Sequence, residues 1–172
     1  MKTITSKDNP TYKLAVKLTR RKFRDDTGMY LLEGVKPLKD ALACGMRVEH
    51  IFVAEGTNTD GLPEKRLVTL ERGLFADVSD TRSSQGVIAM VQQQSSAEER
   101  IDQLLGEPGR IIVLDRIQDP GNMGTIIRTA EAAGFSGVVL MSGCVDPYSP
   151  KVVRAAAGAL FRVPVVQRVR ED

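Results

Sequence analysis

The stretch Asp115-Arg116-Ile117-Gln118-Asp119-Pro120-Gly121-Asn122-Met123-Gly124-Thr125-Ile126-Ile127-Arg128-Thr129-Ala130 gathers most of the residues in this 172-residue chain that could do chemistry. It follows the apolar run Ile111–Leu114 and leads into a helical pattern. Open α/β sheets hold their ligands at that position, beyond the carboxyl end of a strand. A polar, Gly-rich loop that feeds a helix N-terminus is also a natural seat for an anion. Gly121 and Gly124 give only G-x-x-G, short of a dinucleotide fingerprint, and no Gly-Lys-Ser/Thr follows to make a Walker loop. Arg128 lies one helical turn beyond Gly124, and helical side chains tilt toward the N-terminus, so its guanidinium can reach back to the loop mouth. Asn122 can bond the backbone there or orient a substrate group. The plain structural alternatives are a turn or cap role for Asn122 and a surface pair between Arg128 and Glu131.

Other chemistries have little support. His50 is the single histidine, and nothing near it resembles a nucleophile elbow. Cys44 and Cys144 stand apart with no second ligand nearby, so no metal site is expected and both read as small buried hydrophobes. The overall charge is +2, but residues 1–24 carry eight basic side chains against Asp8 alone, a local balance of +7 that leaves −5 for the remainder. Such asymmetry points to a basic surface facing a polyanion. Lys13, Lys17, Arg20 and Arg24 fall at helical spacing on one stripe, with Arg21 and Lys22 beside them, and this stripe is expected to contact RNA. A solvated helix face is the bland alternative.

These residues need elements to position them. Asn9-Pro10 starts a helix, with Pro at its first position. A strand at Met29–Glu33 ends in a Gly34 turn; a helix over Val35–Ala43 and a strand at His50–Ala54 follow. Residues 64–78 read as a short helix and mixed segment, Ser79–Gly86 as a polar turn, and Val87–Val91 as a strand. This order predicts a small α/β sandwich with a largely parallel sheet. Gln92–Ala97 reads as a linker, with a short polar helix around Glu98–Leu105. The second unit runs strand Ile111–Leu114, helix Gly124–Ala133 stopped by Gly134, strand Val138–Met141, helix Pro150 to about Leu160, and strand Val163–Val166. That is half of a doubly wound sheet, and three strands leave an apolar edge exposed.

The run Asp119-Pro120-Gly121-Asn122-Met123-Gly124 with Ile127-Arg128-Thr129-Ala130 resembles the first motif of the SpoU (TrmH-like) RNA methyltransferases of the SPOUT superfamily. Cys144-Val145-Asp146-Pro147-Tyr148-Ser149-Pro150-Lys151-Val152-Val153-Arg154-Ala155 and Ala157-Gly158-Ala159 are similar to the segment that follows it. The Arg21–Arg24 cluster, Glu33-Gly34, Ser79-Asp80-Thr81 and Gln85-Gly86 resemble the substrate-binding domain often fused ahead of it. Asp146-Pro147-Tyr148, superficially like an amino-group methyltransferase motif, reads as a turn, with Tyr148 a packed ring and stacking on a base as the alternative.

The resemblance implies an α/β protein with an RNA substrate-binding domain at 1–95, a linker and short helix at 96–109, and part of a knotted methyltransferase domain at 110–172. It implies transfer of a methyl group from S-adenosylmethionine to a ribose 2′-OH of ribosomal or transfer RNA, by a homodimer. Asn122 and Arg128 take the catalytic positions. Arg154 is expected to contact RNA or the dimer partner, with an ordinary helix-surface charge as the alternative. Arginine stays protonated in ordinary settings, so Arg128 is expected to stabilise the 2′-oxygen and bind a nearby phosphate, not to act as a base. Family members continue through a Gly-x-Glu-Gly-type loop and a Ser-Leu-Asn-type loop that hold the cofactor. Neither occurs in these 172 residues, so an incomplete cofactor site is expected and the cofactor-binding residues stay unknown. The alternative is an RNA-binding protein without catalysis; a dinucleotide enzyme is disfavoured by the absent phosphate loop. No apolar run reaches the roughly 20 residues of a membrane span, and the N-terminus has no signal-peptide core, so a cytoplasmic protein is expected.

Overall fold

The computed structural model describes residues 2–81, 83–94 and 109–169. The expected helix around 98–105 lies outside them. The chain divides into two compact units, residues 1–93 and 94–172.

The first unit is built on five strands: β1 (Lys2–Ile4), β2 (Met29–Glu33), β3 (Val48–Ala54), β4 (Leu67–Leu70) and β5 (Val87–Gln92). Four helices accompany them: α1 (Pro10–Leu18), α2 (Arg21–Thr27), α3 (Val35–Ala43) and α4 (Arg72–Val78). The sheet order is β1-β4-β3-β5-β2. Strands β1, β4 and β3 are mutually parallel, but β5 runs antiparallel to both β3 and β2. The sheet is therefore mixed, a correction to the largely parallel expectation. All five residues of β5 from Val87 to Val91 are buried, because helices cover both sheet faces. A strand buried on both sides loses its alternation, so its direction was not legible.

Ile4, Leu31, Phe52, Leu70, Ile88 and Met90 join Ala15 and Leu18 of α1 and Leu74 and Phe75 of α4 in one core. Their neighbours Leu32, Ile51, Val53 and Ala89 point to the opposite face, as strand alternation requires, where α3 buries Leu38 and Ala41. Residues 64–78 are not chiefly helix. A single 3-10 turn at Glu64–Arg66 leads into β4, with all four of its residues buried, before α4.

The basic helix expected from Pro10 to Arg24 is two helices. Asn9 caps α1 as predicted, its side chain accepting from Thr11 N at 2.9 Å and Tyr12 N at 3.3 Å. Thr19 ends it, donating its hydroxyl to Val16 O at 2.7 Å, a bond that competes with helix continuation. Arg20 is extended and α2 starts afresh. Gly28 closes α2 in the left-handed conformation at φ 63.

The second unit has strands β6 (Ile111–Leu114), β7 (Gly137–Met141) and β8 (Val165–Val169), all parallel in that order, as expected. Helix α5 spans Pro120–Ala132 and α6 spans Pro150–Ala155. Val113, on the edge strand β6, is 59% exposed, the one large apolar residue so open among those described. The second helix stops well before Leu160. Ala157 and Gly158 take left-handed backbone at φ 48 and 85, and a 3-10 turn at Ala159–Phe161 buries all three of its residues. Alanine-rich sequence favours helix; here burial of Leu160 and Phe161 overrides it. No helix among the described residues is long and apolar enough to cross a membrane.

Candidate functional site

Helix α5 begins four residues earlier than Gly124, at Pro120, with Asp119 as its cap. Asp119 Oδ1 accepts from Asn122 N at 2.7 Å, and Met123 N donates to Asp119 O at 3.0 Å. Asp119-Pro120 is the same start signal as Asn9-Pro10, and the sequence reading missed it. The correction matters chemically. Asn122 is the third helical residue, not a loop residue, and its backbone N–H is already taken. The helix start is closed by its own carboxylate, so a phosphate seated there would displace or face an acid.

The Asn122 side chain is exposed and makes no hydrogen bond among the described residues. Arg128 is likewise exposed and without a partner among them. The pair anticipated between Arg128 and Glu131 does not form: Glu131 Oε1 accepts from Arg162 Nε at 2.8 Å. Asn122 and Arg128 stand about 9 Å apart along the helix axis and about 120° apart around it. They share one helix without forming a contact pair, and a substrate that meets both must span that interval.

Two loops at the carboxyl ends of the strands are tied together beside this helix. Val145 N donates to Ile117 O at 2.8 Å, and Cys144 Sγ lies 3.3 Å from Leu114 O as its donor. Asp146-Pro147-Tyr148 is a turn, as read: Tyr148 N donates to the buried Asp146 carboxylate at 2.8 Å, and the Tyr148 ring is packed. Helix α6 then crosses α5 at very short range. A Cβ on Gly124 would collide with the Ala155 Cβ and sit 2.8 Å from both the Ala155 carbonyl carbon and Ala156 N. Arg154, next to that crossing, is exposed on α6.

In the first unit, Lys13, Lys17, Arg20, Arg21 and Lys22 are exposed. Lys17 lies 5.4 Å from the Phe23 ring centroid. Lys13 pairs with Asp8 at 2.8 Å, and Arg21 meets Asp25 at 3.8 Å. Acids therefore do accompany this surface, but exposed pairs of this kind are weak. Arg24 departs from the expectation altogether. It is 4% exposed and donates from a guanidinium nitrogen to Leu18 O at 2.8 Å, holding the end of α1. It belongs to the fold and not to the basic surface.

The short motifs Glu33-Gly34, Ser79-Asp80-Thr81 and Gln85-Gly86, scattered in sequence, meet in one cluster. The Glu33 carboxylate accepts from Ser79 Oγ at 2.7 Å, Thr81 Oγ1 at 2.6 Å and Asp80 N at 3.1 Å. Partial burial pushes this carboxyl up, but the hydrogen bonds from Ser84, Thr81, Ser79 and Asp80 outweigh it and hold it below its ordinary value. Gln85 Oε1 accepts from Val35 N at 3.1 Å, at the start of α3. The cluster staples the polar turn to the end of β2.

One exposed cation at the site escaped the sequence reading. Arg116 follows Asp115 directly after β6 and has left-handed backbone at φ 51.

The chain thus joins a mixed α/β unit with a basic face to a parallel α/β unit with a capped motif helix. Residues 109–171 match the SpoU rRNA Methylase family, and residues 9–89 match the MRM3-like substrate binding domain. The chain belongs to the SpoU rRNA methylase family. It is 34% identical over 170 residues to the 23S rRNA (guanosine(2553)-2′-O)-methyltransferase RlmP of Bacillus subtilis, covering 98% of this chain and 66% of that protein. It is 35% identical over 156 residues to the human mitochondrial rRNA methyltransferase 3, covering 87% of this chain and 37% of that protein. Among solved structures, the AdoMet-bound rRNA methyltransferase of Sinorhizobium meliloti superimposes with a TM-score of 0.79 at 32% identity, covering 99% of this chain and 65% of that one. The chain thus spans from over a third to just under two thirds of these relatives' lengths.

Proposed function

We propose that this chain serves an S-adenosylmethionine-dependent RNA 2′-O-methyltransferase acting on ribosomal RNA, as a cytoplasmic homodimer. The observation that carries this is Arg128: an exposed guanidinium on the SpoU motif helix, with no protein partner among the described residues, while the nearby Glu131 is taken by Arg162. A cation held without structural duty is available to a substrate oxyanion and its flanking phosphate. Asn122, equally unengaged, would orient the ribose. Lys13, Lys17, Arg20, Arg21 and Lys22 would draw in the RNA backbone, and Arg154 would add a contact from α6.

S-adenosylmethionine would supply an electrophilic methyl group. Among the described residues of the second unit, the buried side-chain atoms left without a partner are Ser149 Oγ and Gln167 Oε1. These two atoms by themselves do not define its seat.

The test is incubation of the purified chain with tritiated S-adenosylmethionine and ribosomal RNA, followed by ribose analysis. Label in alkali-resistant dinucleotides is the expected result, lost in Arg128→Ala. The second reading is RNA binding without transfer. RNA binding with no label, and no retention of the cofactor, would support it and defeat the first.

A further inference from the structure

We infer that Arg116 contacts a phosphate of the substrate RNA at the carboxyl end of β6; this rests on the RNA-methyltransferase reading above. Arg116 is one of two non-glycine residues with left-handed backbone among those described, at φ 51. Such a backbone suits glycine, which has no Cβ to crowd the following carbonyl. Glycine would hold this backbone with less strain than arginine does. The Arg116 side chain is 77% exposed, and among the described residues it pairs with the adjacent Asp115 at 3.7 Å, itself 55% exposed. That pair is too open to justify the residue by stability.

The loop after β7 makes room for it. Gly143, also left-handed at φ 94, faces the arginine stem: a Cβ on Gly143 would lie 3.3 Å from Arg116 Cγ. The same two loops are joined by the bond from Val145 N to Ile117 O. The guanidinium is therefore carried on a braced loop a few residues ahead of α5, whose N-terminus Asp119 occupies, so a phosphate approaching there would need a cation. Strained backbone at an exposed charged residue is a signature of function held against local preference.

The experiment is fluorescence-anisotropy titration of the full chain with a short labelled RNA hairpin at several salt concentrations, alongside melting of each variant. Arg116→Gly and Arg116→Asn remove the charge and accept the left-handed backbone; Arg116→Lys keeps the charge. We expect the first two to bind about three- to tenfold more weakly. The slope of log affinity against log salt should fall by about 0.7 for one lost phosphate contact, and melting should be unchanged or raised in Arg116→Gly. Arg116→Lys should stay close to wild type. Unchanged affinity and slope in the glycine and asparagine variants would overturn the inference, as would weaker binding that appears only with a lower melting temperature. A wild-type chain that binds no RNA would defeat the methyltransferase reading as well; wild-type binding with indifferent variants defeats this inference alone.

Discussion

Arg162 Nε donates to Glu131 Oε1 at 2.8 Å across 31 residues of sequence, and in doing so removes the acid that stands nearest Arg128 on its own helix. Among the described residues, the motif arginine is left exposed and without a partner. Both members of the pair are partly open, so its stabilising effect is about 0.2–1 kcal/mol. In the proposed reading, its larger effect is to leave Arg128 for the substrate.

Arg128→Ala should therefore separate folding from activity. An exposed side chain without partners changes stability by no more than about 0.5 kcal/mol, so the urea midpoint should hold. Methyl transfer should fall about a hundredfold or more, as for loss of one donor to a developing oxyanion. Turnover that survives this substitution would sink the proposed role.

Arg24 should behave in the opposite way. Its buried guanidinium bonds Leu18 O, so Arg24→Ala should destabilise by about 1–3 kcal/mol through an unsatisfied carbonyl and lost packing. Combined replacement of Lys17, Arg21 and Lys22 by alanine should leave melting nearly unchanged while weakening RNA binding. Chemical denaturation and RNA titration on the same preparations distinguish the two; weaker RNA binding by Arg24→Ala at unchanged stability would contradict the structure.

Gly124→Ala adds a methyl group where Ala155 already stands. The nearby backbone atoms of Ala155 and Ala156 cannot swing away like a flexible side chain. A loss of about 1–3 kcal/mol, toward the upper end, is expected from urea unfolding. Wild-type stability in this variant would show that the crossing is looser than described.

Glu33 makes the first unit acid-sensitive. Its folded carboxyl titrates below the ordinary value of 4.5, so on acidification the unfolded chain takes up the proton first. The stabilisation is fully present above that ordinary value and is lost as pH falls through the depressed one. Urea midpoints across the acid range should show wild type and Glu33→Gln converging as the pH drops. A gap between them that is independent of pH would place the effect elsewhere.

The parallel second sheet and the motif helix were legible because apolar runs alternate there with a helical period. Asp119-Pro120 is as clear a helix start as Asn9-Pro10, but Gly121 and Gly124 read as loop residues and push the predicted start too late. The fate of Arg24 was not legible, since a stripe drawn at helical spacing assumes one unbroken helix, and the bond from Thr19 to Val16 breaks it. β1 was invisible for a simpler reason: three residues with two exposed carry no pattern, and only pairing with β4 defines them. Arg116 was in plain view within the motif, but its left-handed backbone is a property of the folded loop and not of its residue type.

The strand order of the first unit has a consequence for how the chain is made. β5, the last strand synthesised in this unit, sits between β2 and β3. Until Gln92 has left the ribosome, β2 has no sheet partner, and only the parallel β1-β4-β3 set can assemble. Closure of the sheet is therefore a late, long-range event of the sort that slows folding. A nascent chain halted before Val87 would display β2 as an unpaired apolar strand.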